Sequence, residues 1–381
     1  MASICNDEQA SSGVMSGHDR KTLSLSVKGR DRTYARCGLS DAASAMVRAM
    51  TSIDSAALRT QLLHAARWDA EYGSSLSNHL PMALTALARL GASDDRRAEF
   101  AARYAHKLHP APPREPWPVG EAWRALLGRP RAWPAYRALW REWIDSEGAP
   151  GVLEQALPTL MQGAGAAAFH GPIRAAYALA ANHADELADA LAYWSCRWFA
   201  CGAADGEGSN ADTAAVLNAL DLSTDLKDQP LIAQHMAQAA AHPRFAPALA
   251  RWRVDAHITL PRLAMLAAER YAARAEFTVL HLVTSAHAVR VLLPWLNAED
   301  RLPALRHYAA AAAAAWATLA HQHAGAPTQV TVLPWTEIAA RATVSDDDHV
   351  IKLVDSCREL ESSQGGAVWS RAASRAVAEI V

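Results

Sequence analysis

The chain has 381 residues, 51% of them hydrophobic, so it can bury a large core as one large helical domain or as two helical lobes. Its formal net charge is −2, and this lack of a basic excess argues against a nucleic-acid partner. The five cysteines are scattered and odd in number, which argues against a disulfide framework. We therefore expect buried, reduced cysteines in a cytoplasmic protein.

The first 38 residues are predicted to be a flexible leader, followed by one helical domain over residues 39–381. The leader is rich in serine, glycine and charge, and it lacks the apolar stretch of a secretory signal. The alanine run Ala309–Ala315 is far shorter than the roughly 20 apolar residues of a membrane span. We expect no membrane partner, and the sequence does not indicate the oligomeric state.

Alanine, leucine and arginine fill most of the chain, which predicts an all-α fold because these residues lose little side-chain freedom in a helix. An early helix is expected to bury a face made of Leu58, Leu62, Leu63 and Ala66. A break at Gly73–Ser75 precedes a helix over Met82–Leu90, which Gly91 is expected to end. The one short strand candidate is Thr328–Leu333.

A proline-dense linker, residues 110–118, separates the first helices from an aromatic cluster, because no helix persists through PAPPREPWP. The cluster comprises Trp117, Trp123, Trp133, Tyr136, Trp140 and Trp143. Aromatic residues at this density either fill a core or line a pocket for a flat substrate, and core is the more frequent role. Helices then continue to the C-terminus, with breaks at Gly163 and Gly165 and at Gly365–Gly366.

Familiar cofactor motifs are missing from the sequence. Gly163, Gly165 and Gly171 do not have the spacing of a G-x-G-x-x-G loop, and no strand precedes them. The chain also contains no Walker loop, H-E-x-x-H helix or G-x-S-x-G elbow. A flavin or nicotinamide held on a Rossmann domain is therefore not expected.

Histidine is the residue type that points to chemistry, with 16 in the chain. His79 lies at a helix entrance, His170 follows an alanine-rich segment, and His281 and His287 lie in an apolar helix. A metal inside a helical bundle needs donors from several helices, and imidazole suits iron, copper and zinc. A single histidine on an apolar helix is more often a hydrogen-bonded core residue, so the pattern leaves both interpretations open.

Helical spacing limits which of these residues can act together. His281 and His287 are six apart and differ by about 120° around a regular helix, so they do not share a face. His349 and Lys352 are three apart and do share one. A cationic lysine repels a metal unless it loses its proton or reacts with carbon dioxide to give a carbamate. The simpler role for Lys352 is a salt bridge to Asp348 or Asp355.

Four segments, in order, resemble blocks of the questin oxidase-like family: NHLPMAL at 78–84, FHGPIR at 169–174, LHLVTSAHA at 280–288 and DHVIK at 348–352. The similarity extends from about residue 62 to residue 360. It implies an all-α fold with the active site between helices. It also implies an oxidoreductase that opens or oxygenates an aromatic polyketide or quinone with O2.

For at least one branch of the family, the resemblance implies a non-haem Fe(II) held by four histidines and a carboxylated lysine. The matching metal ligands are His79, His170, His281, His287 and Lys352. His349 belongs to the last block and is either a substitute for one of the four histidines or a catalytic neighbour of the metal.

The expected partners are a small aromatic substrate and O2, with NADPH as an external reductant whose site is not visible in the sequence. The predicted pocket wall consists of Trp140, Tyr193 and Trp194. Arg174 either orients a phenolate or carboxylate of the substrate or forms a structural pair with Asp189 or Glu186.

Two other functions remain open at this point. One is a metal-independent, NADPH-dependent monooxygenase of the Baeyer–Villiger type, with the histidines as acid–base groups. The other is a non-catalytic helical protein that binds flat ligands.

Overall fold

Helices dominate the computed structural model, as the alanine- and leucine-rich composition predicts. The structure describes residues 55–118, 120–206, 208, 212–320, 329–378 and 380. The predicted leader, residues 1–38, lies outside this range. All of the described residues belong to one compact unit, Leu39–Val381.

The described residues form fifteen α-helices: α1 (Ala56–Ala65), α2 (Leu80–Leu90), α3 (Asp94–Ala105), α4 (Trp133–Leu160), α5 (His170–Ala180), α6 (Ala184–Cys196), α7 (Thr213–Ala219), α8 (Ile232–Ala241), α9 (Phe245–Leu249), α10 (Thr259–Arg274), α11 (Phe277–Leu292), α12 (Ala298–Ala317), α13 (Trp335–Val344), α14 (Asp348–Gln364) and α15 (Val368–Ala376). Short 3-10 turns lie at Trp123–Leu126, Pro130–Ala132, Met161–Gly163 and Leu293–Trp295. Two short antiparallel strands, β1 (Glu71–Tyr72) and β2 (Leu76–Ser77), precede α2.

Local sequence signals fix the ends of α2. Pro81 lies in the first turn, where a missing N–H costs no helical hydrogen bond. Gly91 ends the helix in the left-handed conformation at φ 92°, as predicted. The helix begins at Leu80, two residues earlier than expected, with His79 as its N-cap.

Two local predictions are wrong. Leu63 is 53% exposed although Leu58 and Leu62 are buried, because a neighbour of Leu62 points about 100° away from the buried face of α1. The strand candidate at 328–333 is irregular over its described residues 329–333. No strand in the described part of the chain pairs with it. The backbone N–H of Leu333 instead donates a hydrogen bond to Ser374 Oγ at 2.9 Å.

The aromatic cluster is mostly core, in the long helix α4 and its contact with α6. Trp133, Tyr136 and Trp140 are buried, and Trp140 stacks on Trp143 with ring centroids 5.2 Å apart. The preceding segment 111–118 has no regular structure, as its prolines predict. The aromatic residues therefore serve to join α4 to α6, the helix that packs on α5.

Four helices form the centre of the fold. They pack in a closed cycle, α2 on α5, α5 on α11, α11 on α14 and α14 on α2. Among the described residues, the segment Phe277–Trp295 is long and apolar enough to cross a membrane. However, 72% of it is buried inside the protein, as expected for a core helix surrounded by other helices.

The contact between Gly171 and Trp194 generates a stability prediction. A Cβ on Gly171 would lie 2.7 Å from two atoms of the buried indole, Cγ and Cδ1. The indole cannot move freely, since its Nε1 donates to Gly163 O at 3.0 Å. We expect Gly171→Ala to lower the free energy of unfolding by about 1–3 kcal/mol, as overpacking does.

Gly151 provides the matched control for urea unfolding. It also lies in a helix, but its added Cβ would meet Glu147 Cβ at an ordinary 3.4 Å. Gly151→Ala should leave stability unchanged or raise it by up to about 1 kcal/mol, because alanine favours the helix. Equal unfolding midpoints for the two variants would contradict the packing interpretation.

Candidate metal centre

Four imidazoles meet where the four central helices begin. His79 caps α2, His170 is the first residue of α5, His281 lies in the second turn of α11, and His349 is the second residue of α14. Neighbouring ring centroids are 4.5 Å apart for His79 and His170, and 5.0 Å for His170 and His281. They are 5.5 Å apart for His281 and His349, and 4.7 Å for His349 and His79, which closes the ring.

The Nδ1 atoms of three imidazoles, His79, His170 and His281, are hydrogen-bonded to an oxygen, and that of His349 lies close to a carboxylate. The Nδ1 atoms of His79 and His349 lie 2.5 Å and 3.0 Å from Asp348 Oδ1. Those of His170 and His281 lie 2.5 Å and 2.9 Å from the carbonyl oxygens of Ala167 and Phe277. A carbonyl can only accept, so in His170 and His281 the proton is on Nδ1 and the lone pair is on Nε2.

The Nε2 atoms of His79 and His170 are buried and have no hydrogen-bond partner among the described residues. Buried polar atoms are nearly always satisfied, so a pair of such nitrogens in one cluster needs an explanation. Metal-bound histidines commonly donate Nδ1–H to a carboxylate or carbonyl and bind the metal through Nε2. The hydrogen bonding of this cluster matches that arrangement.

Burial keeps the imidazoles of His79, His170 and His281 neutral. Burial lowers the pKa of His79 to about 3, the positive charge of Lys352 adds to the shift, and Asp348 opposes it. Burial, then the neighbouring basic groups, hold the pKa values of His170 and His281 well below their usual range. The positive ends of the converging helices act in the same direction. Neutral imidazole is the form that binds a metal.

Asp348 is the carboxylate of the cluster, which the sequence indicated only as a possible salt-bridge partner of Lys352. Beyond its two histidine contacts, Asp348 lies 3.7 Å from Lys352 Nζ and 3.7 Å from Lys107 Nζ. Burial disfavours its charge, yet His79 and Lys352 outweigh this effect and hold the pKa of Asp348 well below its usual range. Its position four residues before Lys352 and next to His349 is the signal that could have identified it.

Lys352 is 2% exposed, and its amine lies beside the carboxylate of the cluster. Burial lowers the pKa of its amine to about 8, against the opposing effect of Asp348. A substantial fraction of the amine is thus neutral near physiological pH. The salt bridge to Asp348 predicted from the sequence is present, while Asp355 pairs with Arg89 instead, at 2.9 Å.

The backbone before His170 is unusual. Ala167, Ala168 and Phe169 have φ values of 48°, 54° and 71°, three consecutive non-glycine residues in the left-handed region. Each costs about 1–2 kcal/mol relative to a right-handed conformation. This turn carries the Ala167 carbonyl that holds His170 Nδ1, so the strained segment sets the direction of the imidazole.

Two further residues, Tyr104 and Lys107, border the cluster, and nothing in the sequence indicated either of them. The Tyr104 hydroxyl accepts a hydrogen bond from the His79 backbone N–H at 3.0 Å. Lys107 Nζ lies 3.7 Å from the centre of the Tyr104 ring. Both line a surface cavity of ≈ 330 Å³. Their segment carries no sequence signal, since the contact joins α3 to a helix cap 25 residues away.

His287, a predicted ligand, is not brought into the ring of imidazoles. Its Nδ1 lies 3.4 Å from Arg290 Nη2, and its charged neighbours are Arg290 and Arg89. The reason is helical geometry, since six residues turn the side chain by about 120° and advance it by about 9 Å along α11. His349 is the fourth imidazole of the ring, in the place that the resemblance implied for His287.

Arg174, predicted to orient the substrate, is held in a buried structural pair. Its Nε and Nη2 donate to the two carboxylate oxygens of Glu186 at 2.6 and 3.0 Å. Asp189, the other partner considered, accepts from Arg137 at 2.8 Å. This is the structural alternative that the sequence left open.

The three predicted pocket residues lie in the core between α4, α6 and the 3-10 turn at 161–163. Trp140 Nε1 donates to Ser195 Oγ at 3.2 Å, and Trp194 is fixed by Gly163 O, so both indoles are satisfied inside the protein. Tyr193 borders a surface cavity of ≈ 300 Å³, although its hydroxyl is bonded to Ser77 Oγ at 2.7 Å. Neither tryptophan lines this cavity.

Among the described residues, one group of side chains offers ligand atoms close enough together to hold a metal ion, and this group does not include His170 or His281. Ligand atoms of His79, Asp348 and His349 lie within 4.8 Å of one another. The surrounding cluster also contains the neutral imidazoles of His170 and His281 and the amine of Lys352. Imidazole donors of this kind suit iron, zinc or copper.

Comparison with known families places residues 76–357 in one of them, described as questin oxidase-like. This range covers most of the chain and includes every residue of the ring of imidazoles. No curated protein matches the chain. The chain belongs to the questin oxidase-like family.

Proposed function

We propose that this protein is a non-haem Fe(II) oxygenase that acts with O2 on a flat, electron-rich aromatic substrate such as a phenol or hydroquinone of polyketide type. The observation that carries the proposal is the buried, unpartnered Nε2 atoms of His79 and His170 inside a ring of four imidazoles. The family description supports oxidative chemistry. Iron is among the metals that imidazole favours, and it is redox-active where zinc is not.

The proposed ligands are His79, His170, His281 and His349, together with Lys352. Four neutral imidazoles carry no charge, so a divalent cation needs an anionic donor nearby. Asp348 is engaged through Oδ1 with His79 and His349, which suits it to orienting the rings. Lys352 would supply the anionic donor after modification.

Lys352 has the environment for conversion to a carbamate. Its neutral amine would attack carbon dioxide, forming an N–C bond and releasing one proton, which leaves an oxygen donor with one negative charge. Burial supplies the neutral amine, since it lowers the pKa of Lys352 to about 8. The charge of the modified side chain would then balance the cation.

Bound iron would supply the one-electron chemistry that lets dioxygen react with an aromatic ring. The protein's own residues exclude water, since His79, His170 and His281 are all buried. Lys107, at the border of the cluster, is placed to attract a phenolate. Where one oxygen atom enters the product and the other leaves as water, two electrons and two protons are needed. NADPH is the proposed external source of the two electrons and one proton, and solvent supplies the second proton.

Iron content distinguishes between His287 and His349 as the fourth histidine ligand. We expect near-stoichiometric iron in wild-type protein expressed with added iron, and a loss of most of it in His281→Ala. His287→Ala should retain iron, because His287 pairs with Arg290. Plasma emission spectrometry measures the metal, and His349→Ala is expected to resemble His281→Ala.

Metal-free wild-type protein of normal stability would refute the iron proposal. NADPH-linked turnover in that protein would then favour the metal-independent monooxygenase. Loss of iron in His287→Ala but not in His349→Ala would refute the ligand set.

Asp348 should act on the metal through the rings that it orients. We expect Asp348→Asn to weaken iron affinity about 10–100-fold, because loss of a carboxylate behind a ligating histidine has effects of this size. Chelator competition measures the affinity. Asp346→Asn is the control, since Asp346 is an exposed acid that pairs with Arg96 and Arg103. Equal affinities in the two variants would argue against orientation by Asp348.

The carbamate has a direct spectroscopic test. Zinc-loaded protein kept in ¹³C-bicarbonate should show one carbamate carbon resonance, because zinc is diamagnetic and leaves the signal sharp. Lys352→Gln should lack the resonance, and Lys107→Gln should retain it, although both lysines lie 3.7 Å from Asp348. A wild-type spectrum without the resonance would refute the modification.

A further inference from the structure

The ring of imidazoles is most open to solvent on one side. His79, His170 and His281 are buried, whereas the His349 side chain is 20% exposed. Phe277, the first residue of α11, lies next to His349 and is 54% exposed. A ligand from solvent can therefore reach the ring of imidazoles from this side, past His349 and Phe277.

The Phe277 ring contacts two of the four imidazoles. Its centroid is 4.8 Å from that of His281, with an interplanar angle of 77°, and 4.7 Å from that of His349, with an angle of 60°. Both contacts are edge-type and leave more than half of the side chain in solvent. A phenylalanine packed for the core alone would be expected to bury more of its surface.

We propose that Phe277 is the platform on which the flat ring of the substrate stacks, beside His281 and His349. This inference rests on the proposed function, since it concerns the same site and its aromatic substrate. Aromatic rings attract one another in offset-stacked or edge-to-face arrangements, and the exposed part of Phe277 offers such a surface. The platform makes Phe277 a determinant of specificity for flat ligands.

The side chain of Phe277 can be changed without removing the support of His281. That support comes from the Phe277 carbonyl oxygen, which accepts from His281 Nδ1 at 2.9 Å. A substitution at this position keeps the carbonyl and the helix start. Effects on ligand binding are therefore separable from effects on the metal.

Equilibrium dialysis of the iron-supplemented, full-length protein with 1,8-dihydroxyanthraquinone tests the platform. We expect Phe277→Ala to raise the dissociation constant about tenfold, because a stacked ring is lost. Phe277→Trp should bind within about threefold of wild type, since it restores an aromatic surface. The control is Ile258→Ala, which alters another large apolar residue, 63% exposed, at the start of α10.

Wild-type affinity in Phe277→Ala would overturn the proposal, as would an equal loss in Ile258→Ala or no binding by wild type. Iron content, measured on the same samples, should not change in any variant. Binding that depends on Phe277, in a protein that holds no iron and takes up no oxygen, would support the platform and refute the oxygenase. The affinities of the Phe277 variants therefore test the platform, whereas iron content and oxygen uptake test the oxygenase.

Discussion

The burial of several basic groups around one carboxylate is the constraint on which the site depends. Asp348 contacts two imidazoles and two lysine amines. A buried cation is stable only when it is paired, and one carboxylate cannot neutralise every group in this cluster. The low-energy solution is to leave His79, His170 and His281 unprotonated. The same burial makes His79, His170 and His281 poor proton acceptors and keeps them in the neutral form that a metal ion would require.

The convergence of four helix starts adds to this constraint. Each helix begins with backbone N–H groups that lack helical partners and with the positive end of its dipole. A region of this kind stabilises negative charge, which explains why an aspartate is buried there in its ionised form. It also favours a carbamate on Lys352 over a protonated amine. The proposed divalent cation would need these anions in place, so its binding would be coupled to the state of Lys352.

The sequence predicts the helical class and the ends of individual elements well, because these depend on local signals such as Gly91. It predicts His79, His170 and His281 through resemblance, and they meet in the structure. It named His287 as the fourth ligand and His349 as a substitute or neighbour, since the resemblance does not show which face of α11 points to α5 and α14. Asp348 was missed because its contact with His79 joins residues 269 apart in the chain. For Phe277, the four-residue spacing to His281 was a usable signal, since such residues share a helix face.

The strained backbone before His170 shows that orienting this imidazole costs conformational energy. Three left-handed residues would relax to a lower-energy turn if nothing held them. Gly171 packs against Trp194, leaving no room for a Cβ, and this contact fixes the start of α5. The turn must then carry the chain from the 3-10 segment at 161–163 into a helix whose first residue already points at the cluster. The buried indole that was predicted to touch substrate thereby acts on the site through the backbone, by holding the helix that presents His170.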